Sequence, residues 1–301
     1  MSTRTWILTP HPSPLAPFLS RLLLATAVLL AADTLASAQV DERVIYTSVV
    51  DKNGAPALEL TAKDFIVRED GLPREVLRVS RDTDPLQIAL LVDNSTAMTG
   101  QLTHLRKSLT AFVEATRDGV PIALVTLAER PTIAVSYTAD HAPLRKAIDS
   151  MFAYEAGNYL LDGIAETSQG LAKRTMWRSA IVVLTGLGPE MSYRQYTEVL
   201  RFFRESGASL HVLQVGMGMG GQGREIVLNR GTSETGGRYE QVLSVTGLEV
   251  KARQLSMELS NQYRVIYARP GQLIPPKRTE VSVRRADLRA RGMLMKTDKD
   301  R

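Results

Sequence analysis

The sequence predicts an α/β fold: a doubly wound, mostly parallel sheet with one antiparallel edge strand, plus a small β annex contributed by both flanks of the chain. Three observations carry that expectation. The run at 88–92, IALLV, is apolar without alternation and ends abruptly in Asp93, Asn94, Ser95 and Thr96. That is the pattern of a strand buried on both faces whose C-terminal end meets solvent. From residue 86 to 215, strand-like runs alternate with stretches of helical spacing. Two β-rich groups, at 43–83 and 263–286, lie outside that alternation and are too small to bury a core unless they pair with each other.

In chain order, RVIYTSVVDKNGAPA places an Asn53-Gly54 reversal after an alternating apolar run. DFIVREDGLPREVLRVS has strand-like runs on both sides of Asp70-Gly71, and both dipeptides are hairpin signals. Core strands are expected at 86–92, 122–127, 132–137, 180–185 and 209–215. Helical spacing links them through Leu102, Leu105, Leu109 and Phe112, then Leu144, Ile148 and Met151, then Ile164, Ser168 and Leu171, then Tyr196, Val199, Leu200 and Phe203. Only AERP separates the second run from the third, which is too short for a crossover, so the third strand must be the antiparallel edge. The segmentation that follows is 1–38, 39–83 (N-terminal β hairpins), 84–245 (the α/β domain), 246–286 (a helix and β extension) and 287–301, a basic tail expected to lack order.

Arg4 and Arg21 precede an apolar run at 22–32, which leads to the small-residue triplet Ala36-Ser37-Ala38. This is the pattern of a secretory signal peptide, and it implies export to a bacterial periplasm or cell surface. The run is short for a membrane span, and Asp33 interrupts it. The 301 residues contain no cysteine, which excludes disulfides, thiolate metal sites and lipidation on cysteine. The formal net charge of +5 is concentrated toward the C-terminus, so the tail is a candidate for envelope association, while nucleic-acid binding is not expected.

Several stations in order resemble the von Willebrand factor A (VWA) family, in its bacterial secreted group with β-rich flanks. They are QIALLVDNSTAM, GNYLLDGIAE, AIVVLTGLGPE, ETGGRYE and, in the flanks, LTAKDFIVREDGLPREV and LSNQYRVIYARP. The resemblance implies a Rossmann-like domain used for recognition. It also implies a metal-ion-dependent adhesion site built from an Asp and two Ser in a first loop, a Thr in a second and an Asp in a third. Asp93 and Ser95 match, Ala97 replaces the second serine, Asn158 stands at the threonine position, and Gly186 stands at the third-loop aspartate. The candidate ligands are therefore Asp93, Ser95 and Asn158, with Asp140 and Asp162 as other acids on nearby loops. A single matched carboxylate is a poor match for a hard divalent cation. No cofactor is expected, with weak Mg²⁺ or Mn²⁺ binding as the alternative.

Two enzymatic patterns do not reach a site. Gly216, Gly218 and Gly221 have the spacing of a dinucleotide loop, but they follow a late strand, and REIVLNRG allows only a short helix. His104 is near Asp93 and Ser95 in sequence but lacks a nucleophile-elbow context. The expected function is an exported, non-enzymatic module that binds a protein partner through the C-terminal rim of its sheet. Asn94, Thr96, Tyr159 and Gly218 are its candidate contacts. The alternatives are an assembly component of an envelope complex and a metal-dependent adhesion module.

Overall fold

A computed structural model describes residues 40–294 apart from 175, 177, 272, 273 and 277. The expected signal peptide at 1–38 lies outside the described residues, as does 295–301. One compact unit, Glu42–Arg269 with Pro275–Arg301, holds the site and all but the end residues of the sheets.

That unit contains a six-stranded sheet. Its strands are β5 (Leu86–Val92), β6 (Ile122–Thr126), β7 (Thr132–Thr138), β8 (Arg178–Thr185), β9 (Ser209–Val215) and β10 (Arg238–Val242), in the order β10-β9-β8-β5-β6-β7. All neighbours are parallel except β6 and β7, which form the antiparallel edge hairpin. β5 is central and buried at every position, which is why its sequence does not alternate. Ile88, Leu90 and Val92 face one apolar cluster, and Ala89 and Leu91 face the other. The helices are α1 (Leu102–Ala115), α2 (His141–Ser150), α3 (Leu160–Ala172), α4 (Tyr196–Ser206), α5 (Gln222–Glu234) and α6 (Leu248–Ser260). α1, α2 and α6 cover the first face, while α3, α4 and α5 cover the second.

The flanks form two antiparallel sheets. One contains β1 (Val40–Asp51), β4 (Val76–Arg81), β11 (Tyr263–Pro270) and β13 (Leu288–Leu294), in the order β13-β1-β11-β4. The other contains β2 (Phe65–Glu69), β3 (Leu72–Arg74) and β12 (Thr279–Val283), in the order β12-β2-β3. N-terminal strands therefore pair with C-terminal ones, as their lack of other partners requires. The β2–β3 turn places Asp70 at φ 48° and Gly71 at φ 83°, the two positive dihedrals of a tight hairpin.

Two expectations change. The tail assigned to 287–301 contains a strand, since β13 pairs antiparallel with β1 from Ile45↔Leu294 to Asp51↔Leu288. Leu288 and Ala290 turn into the annex core while Arg289 and Arg291 alternate away from it, so the arginines hid a strand pattern. Pairing also covers an edge of β1 that would otherwise expose a row of backbone donors and acceptors. The helix after the glycine-rich loop is not short: α5 runs for 13 residues.

Candidate functional site at the C-terminal rim of the sheet

Parallel strands leave their C-terminal ends at one rim, and the loops after β5, β8 and β9 gather there with the segment preceding α3. Asp93 lies at the end of β5 and is completely buried. Its Oδ1 accepts the Ser95 backbone N–H at 3.0 Å. Its Oδ2 accepts from Asn158 Nδ2 at 2.8 Å, the Thr185 hydroxyl at 2.9 Å and the Gly186 N–H at 3.0 Å. Three loops thus meet on one carboxylate. Ser95 is the N-cap of a 3₁₀ turn, Thr96–Gln101, with its side chain accepting the Ala97 N–H at 3.4 Å.

The two positions that depart from the family pattern pack against each other. A Cβ on Gly186 would stand 2.8 Å from Met98 Sδ and 3.2 Å from the Ala97 Cβ. A Cβ on Gly188 would stand 2.8 Å from the same Ala97 methyl. The space that a third-loop side chain needs is filled by Ala97 and the buried Met98.

Thr185 and Arg224 do not stand out in the sequence, yet they complete the site. The Thr185 hydroxyl donates to Asp93 and accepts from Asn158 Nδ2 at 3.1 Å and from an Arg224 Nη at 3.2 Å. The same Arg224 nitrogen donates to the Gly186 carbonyl and to Gln214 Oε1, both at 3.0 Å. Arg224 comes from the first turn of α5 and is 1% exposed, so a guanidinium charge is buried at the rim. One hydroxyl links that charge to the Asp93 carboxylate. A hard cation takes oxygen lone pairs from several side chains. Here Asp93 faces donors, Asn158 turns its N–H end to it while its Oδ1 is buried without a partner, and a guanidinium stands on the third-loop side, so a single carboxylate already held by donors is a poor match for a divalent ion. Among the described residues, no group of three or more His, Cys, Asp or Glu could hold a metal.

The other candidates fall into different roles. Asn94 is buried, accepting the Ala128 N–H at 3.1 Å and donating to the Phe152 carbonyl at 3.2 Å, so it shapes the rim without presenting a contact surface. Thr96 is exposed, and its hydroxyl donates to the Ala156 carbonyl at 3.1 Å. Tyr159 is half-buried, with its ring 5.9 Å from that of Tyr193. Gly218 is exposed at φ 142°, and its carbonyl accepts from Gln214 and Gln241. Asp140 caps α2 through the Ala142 N–H. Asp162, in the first turn of α3, accepts the N–H groups of Tyr193 and Arg194 and so holds the third loop.

Comparisons with known proteins agree with this fold. A family model described as the von Willebrand factor type A domain matches residues 88–189, about a third of the chain. A von Willebrand factor type A structure from Catenulispora acidiphila is 11% identical with a TM-score of 0.52, covering 86% of this chain and 66% of its own. Proximal thread matrix protein 1 from the mussel byssus is 18% identical with a TM-score of 0.50, covering 64% of this chain and 50% of its own. A zinc-occupied MIDAS form of that mussel protein is 16% identical with a TM-score of 0.48, covering 67% and 50%. The chain therefore spans about two thirds of the first structure's length and half of the second's, and at these identities the likeness concerns the fold. No curated protein matches the chain. Strand order, the convergence of the rim loops and the family match together identify residues 88–189 as part of a von Willebrand factor type A domain.

Proposed function

We propose that this is an exported recognition module that docks a protein partner on the C-terminal rim of its sheet, without enzymatic activity and without a resident divalent cation. Domains of this family are interaction modules as a class. The observation that carries the reading here is the concentration of exposed apolar side chains on the rim loops. Phe152, Met191, Tyr193, Met217 and Met219 all stand out into solvent, Tyr193 and Met219 at 84% and 83% exposure. Aromatic residues and methionine are the types enriched at protein interfaces, and methionine adapts its shape to a partner. Leu187, from the third loop, packs on Gly216 and Gly218 of the loop after β9, which joins two of these segments into one surface. The four donors on Asp93 support the cation-free form of the reading. No helix among the described residues is long and apolar enough to cross a membrane. Export rests on the sequence pattern at 1–38.

A photo-reactive residue at Tyr193 on the rim, against one at Arg285 in the annex, tests this in intact cells and in envelope extracts. Cross-links should form from position 193 and persist in EDTA. Cross-links confined to position 285 would favour an assembly role through the annex, and rim cross-links abolished by EDTA would restore a metal-dependent one.

A further inference from the structure

Among the described residues, three arginine side chains are more than nine-tenths buried: Arg178, Arg224 and Arg269. A buried charge is ordinarily paired with an opposite one, because desolvating it alone is costly. Arg178 is paired with Asp82, and Arg269 with Glu69 at 3.2 Å. Arg224 has no carboxylate within ion-pair distance among the described residues, and all of its hydrogen bonds leave from one nitrogen. Its Nε and its other Nη are buried with no partner. Of the nearby acids, Glu190 keeps a buried Oε2 without a partner but lies outside ion-pair distance of Arg224, and the other two are engaged. Asp93 is saturated by its own donors, and Glu225 accepts from the Tyr239 hydroxyl and the Gly220 N–H. The Glu190 carboxyl is raised above its usual range by burial, although Arg224 pulls it the other way.

The cover over the guanidinium is a glycine. A Cβ at Gly220 would stand 2.7 to 3.0 Å from the Cδ, Nε and Cζ of Arg224, so only this residue permits so close an approach. Gly216, Gly218 and Gly221 of the same loop hold positive φ values of 90°, 142° and 112°. Backbone of this kind can lift at little steric cost.

We propose that Arg224 is the receptor for a carboxylate carried by the protein partner, an aspartate, a glutamate or a chain terminus, admitted when the glycine loop lifts. The inference rests on the rim reading above and specifies its chemistry. A guanidinium answers a carboxylate with charge-assisted hydrogen bonds, which are about twice as strong as neutral ones. The incoming group supplies the counter-charge that Arg178 and Arg269 already have within the fold.

The test is an NMR titration of the whole protein with acetate in EDTA, following the arginine Nε–H signals, with acetamide as the uncharged control. The Arg224 signal is assigned by its loss in Arg224→Lys. The expected result is a saturable shift of that signal with acetate and none with acetamide. Arg224→Lys, followed through the backbone N–H signals of Gly186 and Gly220, should bind acetate roughly tenfold more weakly. No saturable shift, with or without added Mg²⁺, would overturn the carboxylate proposal and leave the rim reading standing. A shift that requires Mg²⁺ would overturn the cation-free reading as well. Should Arg224→Lys fail to fold, the contrast between acetate and acetamide, read on the backbone N–H signals of Gly186 and Gly220 in the wild-type protein, decides instead.

Discussion

Arg178 and Arg224 are both buried at an end of the central sheet, and they differ in what answers their charge. Arg178 starts β8 at the N-terminal end. It is paired with Asp82, donates to the side chain of Gln262 and the carbonyl of Leu259, and lies 4.9 Å over the Tyr46 ring. Burial pushes its guanidinium down to about 10. Arg224, at the C-terminal end, is held by a hydroxyl, a carbonyl and an amide, with two nitrogens left over. The first arrangement has its counter-ion, with only Nε left without a partner, and joins the sheet to the annex. The second is complete enough to hold the loops but lacks a counter-ion of its own. One end of the sheet is built for cohesion, and the other keeps binding capacity in reserve.

The largest effect expected from breaking this contrast is at the paired end. Asp82→Ala leaves Arg178 buried and unpaired, and urea unfolding should show a loss of about 3–5 kcal/mol. A comparable effect comes from His211, which is fully buried near the start of β9 and pushed down to about 4 by that burial. Glu258 opposes that shift, while Arg238 and Arg291 reinforce it. The unfolded chain binds this proton near pH 6.5 and the folded one only near pH 4, so the stability is fully present above 6.5 and is lost as pH falls toward 4. The loss should total roughly 3 kcal/mol, and His211→Gln should flatten that part of a pH series of urea melts.

The rim should respond less. Gly186→Asp forces a side chain against Met98 and Ala97 and should cost about 1–3 kcal/mol in urea unfolding. Thr185→Val removes the hydroxyl between Arg224 and Asp93 and should cost about 1–3 kcal/mol, less than Asp82→Ala in the same assay. Tyr193→Ser should change stability by no more than about 0.5 kcal/mol while reducing cross-linking from a neighbouring rim position. A Thr185→Val loss equal to that of Asp82→Ala would make the two ends alike and remove the basis for the contrast.

How much of this was legible in the sequence follows the range of the interactions. β5 announces itself because a strand covered on both faces has no polar alternation to confuse it. The Asp70-Gly71 hairpin is legible because two positive dihedrals restrict the residue choice locally. Ala97 and Gly186 showed that the family's ligand set is incomplete, but their packing against each other depends on a contact across 89 positions. Arg224 was hidden for the same reason. Within GGQGREIV it looks like a solvated residue at a helix start, and only the fold brings it to Thr185. β13 was missed because its outward arginines resemble a charged tail.

The most direct test of the central claim, that hydrogen-bond donors and Arg224 stand where a divalent ion would bind, is electron paramagnetic resonance of Mn²⁺ added to the wild-type protein. The account predicts a spectrum of free aquated Mn²⁺ with no saturable loss of signal. One bound Mn²⁺ per chain, released by Asp93→Ala, would contradict it.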